Sequence, residues 1–355
     1  MSHVIANATM PSAAGYASRE FGQDLAGSPA IAMSLGVCCL YALGYVVNIL
    51  WGPQYAGLPA RIGAFLLGAL ALYFTYLFAR QMAIDHTVLW SPATDRFRVG
   101  TWVAALNVLA RLFSSTWLPA AWLCHLLAWA IWVMYMRWIL QMWRSEYIWP
   151  HLCGTAFLVT VATQSLVVAA AGLFPGMPAL AMAGLFVLNL LGVALYCRFF
   201  PLVWVRPGVR AQIAHWVPPN NITHGALSIS VLASESLMAL TVSPPVAVII
   251  AIEAVWSLAV LLFATVLVFE LSLLLRGRGG LLLFRVSNWA RAFTYGMLFA
   301  CTYYGTRAFP ESIMAAAASP SVLMALASLV IAINAWEGGH ELAGVAFRAL
   351  RANER

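Results

Sequence analysis

Ten apolar runs follow one another along the chain, joined by short connections that carry most of its arginines, and that pattern leaves few folds open. The runs cover residues 30–51, 61–78, 99–113, 120–142, 152–173, 177–199, 222–241, 246–275, 292–305 and 321–336. A helix needs about 20 apolar residues to cross the hydrocarbon core of a bilayer, and most of these runs reach or approach that length. Only 9% of the 355 residues are charged and 63% are hydrophobic, against roughly 25% charged in a soluble domain. So little polar surface cannot cover a water-soluble fold of this size. The expected fold class is an all-α polytopic membrane protein.

Two runs are short. Arg98 and Arg111 bracket 12 residues, and Arg291 and Arg307 bracket 15, so hydropathy alone would allow eight spans. The arginines favour ten. With ten spans and the N-terminus inside, only Arg61, Arg111 and Arg307 fall on the outer side, and the other 16 of the 19 arginines fall inside. That is a strong positive-inside asymmetry, and omitting one short helix would invert every later loop and blur it. The reading is ten transmembrane helices in a plasma (inner) membrane with both termini cytoplasmic. A tail over 1–29 precedes a membrane domain over 30–336, and a tail over 337–355 follows it. From Glu341 that tail reads as a short amphipathic surface helix. The first 27 residues have neither a basic n-region nor a compact apolar h-region, so the first span is expected to direct insertion itself.

All the basic residues are arginine. Without lysine there is no Walker A loop and no Schiff base to retinal or pyridoxal phosphate. The +7 formal charge is scattered among loops instead of massed on one face, so nucleic acid is not an expected partner. Cys38, Cys39, Cys124, Cys153, Cys197 and Cys301 show no C-x-x-C spacing and read as small hydrophobes. Asp24, Asp85 and Asp95 all lie outside the spans, which excludes the clustered aspartates of intramembrane metal-dependent transferases. His125 and His151 have no second ligand at i+4, and His340-Glu341 lacks the second histidine of a zinc motif. No enzyme activity, cofactor or metal is expected.

Odd and even runs differ in texture. The fifth, seventh and ninth are small and polar ("CGTAFLVTVATQSLVVAAAG", "THGALSISVLASES", "FTYGMLFACTYYG"), whereas the fourth, "AWLCHLLAWAIWVMYMRWIL", is heavy. Small residues let membrane helices approach closely. The alternation predicts five helical hairpins about a central axis, with short polar helices inside and long apolar ones outside.

Three stretches resemble the tellurite-resistance/dicarboxylate transporter family, which includes slow anion channels. "HWVPPNNITHGALSISVLAS" (residues 215–234) is similar to the family's seventh helix, which opens on "MGA-x-AIS-x-LA". "GTAFLVTVATQSLVVAAAG" (154–172) is similar to its "VATQS" fifth helix, and "NWARAFTYGMLFA" (288–300) to its aromatic-rich ninth. The resemblance covers roughly 60–336, and the first helix matches poorly. It implies ten helices as five hairpins, odd helices lining a pore in each subunit of a homotrimer, and Phe293 as the aromatic gate across that pore. A ring across a narrow apolar passage excludes ions sterically and by dewetting. In this chain Thr294 stands where the family has Pro or Gly, His224 replaces an apolar residue before Gly225, and Arg291 lies two residues before the ring.

Ionisable residues within spans are costly and point to function. Glu235 lies nine residues before Pro244 and Glu253 nine after it. At 1.5 Å per residue both carboxyls sit roughly 13 Å below the turn, and they form a candidate proton-coupling pair. His224, Ser228 and Glu235 share a face of the seventh helix. With Thr160, Thr163 and Gln164 on the fifth and Asn107 on the third, they are candidate pore-lining groups, and Arg291 is the candidate attractor of anions. The expected function is an anion channel or transporter in the bilayer for small inorganic anions, sulfite, tellurite-type oxyanions or C4-dicarboxylates. The alternative is an accessory or cofactor-binding membrane protein that keeps the fold without transport.

Overall fold

The computed structural model describes residues 29–84, 97–143, 152–206, 208, 216–241, 244–275 and 288–353. The N-terminal tail, His151, Asp24, Asp85, Asp95 and most of the arginine-bearing loops expected on the cytoplasmic side lie outside these residues. Every regular element among the described residues is helical. The ten principal helices are α1 (Pro29–Trp51), α2 (Leu58–Ile84), α3 (Gly100–Phe113), α4 (Leu118–Trp143), α5 (Gly154–Leu173), α6 (Ala179–Val205), α7 (Ile222–Met238), α8 (Val246–Leu275), α9 (Trp289–Ala308) and α10 (Pro320–Asn353). A single turn, Ile313–Ala317, lies between α9 and α10.

Local sequence explains where the long helices begin. Pro59 and Pro119 are second residues of α2 and α4, Pro178 and Pro245 immediately precede α6 and α8, and Pro320 opens α10. Proline tolerates these positions because its missing N–H would have no intrahelical acceptor there. Within α1 the residues Cys38–Leu43 form a π turn between two α-helical stretches. Helix α10 runs unbroken through Gly338 and Gly339 to Asn353, so the residues expected to begin a separate tail at 337 continue the same rod.

Seven of the ten helices are long and apolar enough to span a membrane: α1, α2, α4, α5, α6, α8 and α10. Helices α3 and α7 are 14 and 17 residues long, and α9 is interrupted by Arg291 and Arg307. These three, too short or too polar to pass as spans, are nevertheless among the most enclosed. Large exposed apolar side chains occur on α2, α4, α6, α8 and α10, at the end of α1 and in connections, but not on α3, α5, α7 or α9. In α5 89% of the central window is buried, against 22–33% in α2, α4, α6, α8 and α10.

Packing follows the same division. Helix α1 packs on α3, α3 on α5, α5 on α7, α7 on α9, and α9 returns to α1. Each even-numbered helix lies outside two members of this cycle: α2 on α1 and α3, α4 on α3 and α5, α6 on α5 and α7, α8 on α7 and α9, α10 on α9 and α1. Close approach depends on small residues, since lipid provides little hydrophobic drive between helices and contact area must come from interlocking backbones. Gly225 of α7 faces Thr294 of α9 so closely that a β-carbon would run into the threonine side chain.

Candidate functional site

The cycle of inner helices encloses a cavity of about 20 Å³, room for a single water. Its lining comes from all five members of the cycle, including Val37 and Tyr41 of α1, Asn107 and Arg111 of α3, Ser165 of α5, Leu232 of α7 and Met297 of α9. Most of the wall is aliphatic. Tyr41, Asn107, Arg111 and Ser165 border it, but the surface it exposes is apolar.

Asn107 and Ser165 are fixed by a chain of hydrogen bonds running outward to α4. The Asn107 amide nitrogen donates to Val103 O and to Ser165 Oγ, both at 3.0 Å. Its oxygen lies 2.8 Å from His125 Nδ1, and Trp129 Nε1 lies 3.1 Å from His125 Nε2. The indole is only a donor, so Nε2 accepts and the proton sits on Nδ1, donated to Asn107. His125 is therefore a neutral strut between α3 and α4.

Arg111 is held differently. Its guanidinium lies across Gly172 of α5, in the space a β-carbon there would fill, and against the Tyr41 hydroxyl. Among the described residues no carboxylate pairs with it; the two ion pairs found both belong to Arg291. Tyr304 of α9 and Glu235 of α7 act on Tyr41 electrostatically. Glu235 is fully buried and neither carboxyl oxygen has a hydrogen-bond partner. Its Oε1 lies against Gly305 of α9. Glu253 is engaged elsewhere: its Oε1 accepts from the Ile313 N–H at 2.7 Å. The equal depth inferred for the two carboxyls thus does not bring them into a hydrogen bond.

At the opposite end of the inner helices stands a second polar cluster. Arg291 Nη1 is 3.7 Å from Glu270 Oε2 of α8, and Nη2 contacts Glu337 Oε1 of α10. Asn221, just before α7, donates to Glu270 Oε1 at 2.7 Å, and the Tyr295 hydroxyl donates to Glu270 Oε2 at 3.3 Å. The guanidinium expected to attract anions is therefore already shared between two carboxylates. His224 is buried beside this cluster, with Phe263 at 5.3 Å and Tyr295 at 5.8 Å between ring centroids, and neither ring nitrogen has a partner.

Phe293 is 1% exposed on α9, one turn before Met297 of the cavity wall and so on the same helix face. Of the remaining residues expected along a passage, Thr163 accepts from Trp132 of α4 at 3.0 Å and Gln164 donates to Asn189 O of α6 at 3.0 Å. Thr160 Oγ1 is buried without a partner. Ser228 and Thr294 donate to their own helices, at His224 O and Arg291 O. Asn107 alone of the expected set lines the cavity. Arg111, Tyr41 and Ser165 were not anticipated as axial groups, although Arg111 lies at i+4 from Asn107, which puts the two on one face. Glu270 and Glu337 gave no local signal, because each meets Arg291 only through tertiary packing.

Among the described residues no cluster of three or more potential metal ligands occurs. No protein-family model, curated protein or solved structure matches the chain.

Proposed function

We propose that the protein passes anions across a membrane through the axis of its five inner helices. In this reading all ten helices cross, as five hairpins with cytoplasmic termini, and the subunit works in a homotrimer in the plasma (inner) membrane. The observation that carries the proposal is Arg111: a residue bordering the axial cavity, with the Tyr41 hydroxyl near its guanidinium and, among the described residues, no carboxylate paired with it. A fixed positive charge beside a narrow passage favours anions and repels cations. The three stretches that resemble the tellurite-resistance/dicarboxylate transporter family point the same way, and the position of Phe293 one turn from the cavity supports its reading as the gate.

The test is anion flux in proteoliposomes or planar bilayers, with chloride, nitrate and malate in turn, for wild type and Phe293→Ala. A small wild-type current that grows in the variant is expected. Silence from both folded proteins would overturn the transport reading and favour an accessory protein with a closed axis.

A further inference from the structure

We propose that Glu270 of α8 and Glu337 of α10 are positioning residues for the gate: by holding Arg291 they fix the azimuth of α9 where it carries Phe293, and so keep that ring across the axis. This rests on the anion-passing reading above and adds what sets its gate.

Helix geometry puts the two side chains on opposite faces. Each residue turns the azimuth by about 100°, so Arg291 and Phe293 leave α9 roughly 200° apart. Tyr295 and Thr302 come back to the Arg291 side, and all three are bonded outward. Arg291 pairs with Glu270 and Glu337, and the Tyr295 hydroxyl donates to Glu270 Oε2. Further along, Thr302 Oγ1 accepts from Trp256 Nε1 of α8 at 3.0 Å. The other face carries Met297, which borders the axial cavity, with Phe293 one turn before it.

The outward anchors differ in kind. Thr302 and Trp256 share one neutral hydrogen bond. The Arg291 anchor is charged and enclosed, with Arg291 5%, Glu270 6% and Glu337 1% exposed. Pulling such a pair apart leaves an uncompensated charge away from water, so the cluster resists rotation of α9 about its own axis. That rotation is the motion that would swing Phe293 off the axis. Glu270 is itself held by Asn221, just before α7, which leaves Glu337 as the tie that can be removed while Arg291 keeps a carboxylate. One turn earlier on α10, Asn334 accepts from Ser34 Oγ of α1 at 2.9 Å. That bond secures α10 without involving Arg291, and so provides a control.

The test combines nitrate flux into proteoliposomes with fluorine NMR of full-length protein bearing 4-fluorophenylalanine in place of Phe293. Glu337→Gln is expected to raise the flux at least about fivefold, the lower end of a typical coupling between linked sites, and to shift the fluorine resonance. Tyr295→Phe removes only a hydroxyl, keeps the test open if Glu337→Gln fails to fold, and is expected to give a smaller change of the same kind. Ser34→Ala is expected to change neither reading. In a Phe293→Ala background Glu337→Gln is expected to add no further flux, because both substitutions act on one ring. Unchanged flux and resonance in Glu337→Gln and Tyr295→Phe would overturn the proposal. So would an equal rise in Ser34→Ala, which would mean general loosening of α10, or a rise that persists without the Phe293 ring. In each of these cases flux through Phe293→Ala leaves anion passage intact. Absence of flux from both wild type and Phe293→Ala removes the underlying reading and this proposal with it.

Discussion

Arg291 of α9 and Glu337 of α10 meet as an ion pair enclosed by protein, 46 residues apart in the chain, while Glu270 of α8 takes the other side of the same guanidinium. One cation thereby ties three helices together, and the two ends of the pair are not equivalent. Arg291→Gln leaves two enclosed carboxylates without a counter-charge and is expected to cost about 3–5 kcal/mol. Glu337→Gln keeps the Arg291–Glu270 pair and is expected to cost less. Thermal unfolding of both variants in one detergent gives the order, and equal losses would contradict the shared guanidinium.

The contact between Gly225 and Thr294 leads to a paired prediction. Gly225→Ala must displace the threonine side chain and is expected to destabilise by about 1–3 kcal/mol. Gly176, which has open space around its α-carbon and no positive φ, is expected to accept alanine without loss. Combining Gly225→Ala with Thr294→Ala should recover part of the deficit, because the two substitutions act at one contact. Additive losses in the double variant would argue against the close approach.

Membrane topology separates ten crossings from seven. If α3, α7 and α9 all cross, cysteines placed at Gly57 and Gly176 in a cysteine-free background label from the same side. If only the seven long apolar helices cross, α3 does not invert the chain and the two positions label from opposite sides.

His125 has a defined tautomer to look for. Its Nδ1 faces Asn107 and its Nε2 receives the Trp129 indole, so nitrogen NMR of histidine-labelled protein is expected to report a neutral ring protonated at Nδ1. Asn107→Leu removes the acceptor and leaves that N–H unpaired, a change expected to cost about 1–3 kcal/mol. A ring protonated at Nε2 instead would mean the indole bond is absent.

Much of this architecture was legible in residue texture. Small polar runs became the enclosed helices and heavy runs the exposed ones, because in a membrane the Gly, Ala, Ser and Thr positions decide which rods can approach each other. Of the polar residues expected along the axis, Asn107 borders the cavity and the others do not. Thr163 and Gln164 fall on the fifth helix as foreseen, yet they point outward to α4 and α6, since a helix enclosed on every side has polar neighbours at more than one azimuth. Depth along a helix can be read from residue count; azimuth against a partner cannot. For the same reason Glu235 and Glu253 share a level without sharing a bond. The charge count puts Arg111 on the outer side, which registers the side of the membrane and not the direction of the side chain. Glu270 and Glu337 escaped notice because a charge near the end of an apolar run looks like its boundary, and only tertiary packing brings both to Arg291.

The π turn over Cys38–Leu43 gives α1 a property its neighbours do not share at that level. A π turn holds one residue more than an α turn and is a frequent mark of functional positions. Deleting one residue within it would leave a continuous, regular helix, so backbone pairing alone does not forbid the loss. Each helical residue advances the azimuth by about 100°, so the shortened rod could not keep both its ends and Tyr41 in their present directions. If its ends stayed seated, the hydroxyl would turn away from Arg111. This helix is thus open to single-residue shortening in length but not in aim, and a chain that lost the residue would still build the rod while losing the alignment of α1 with α3.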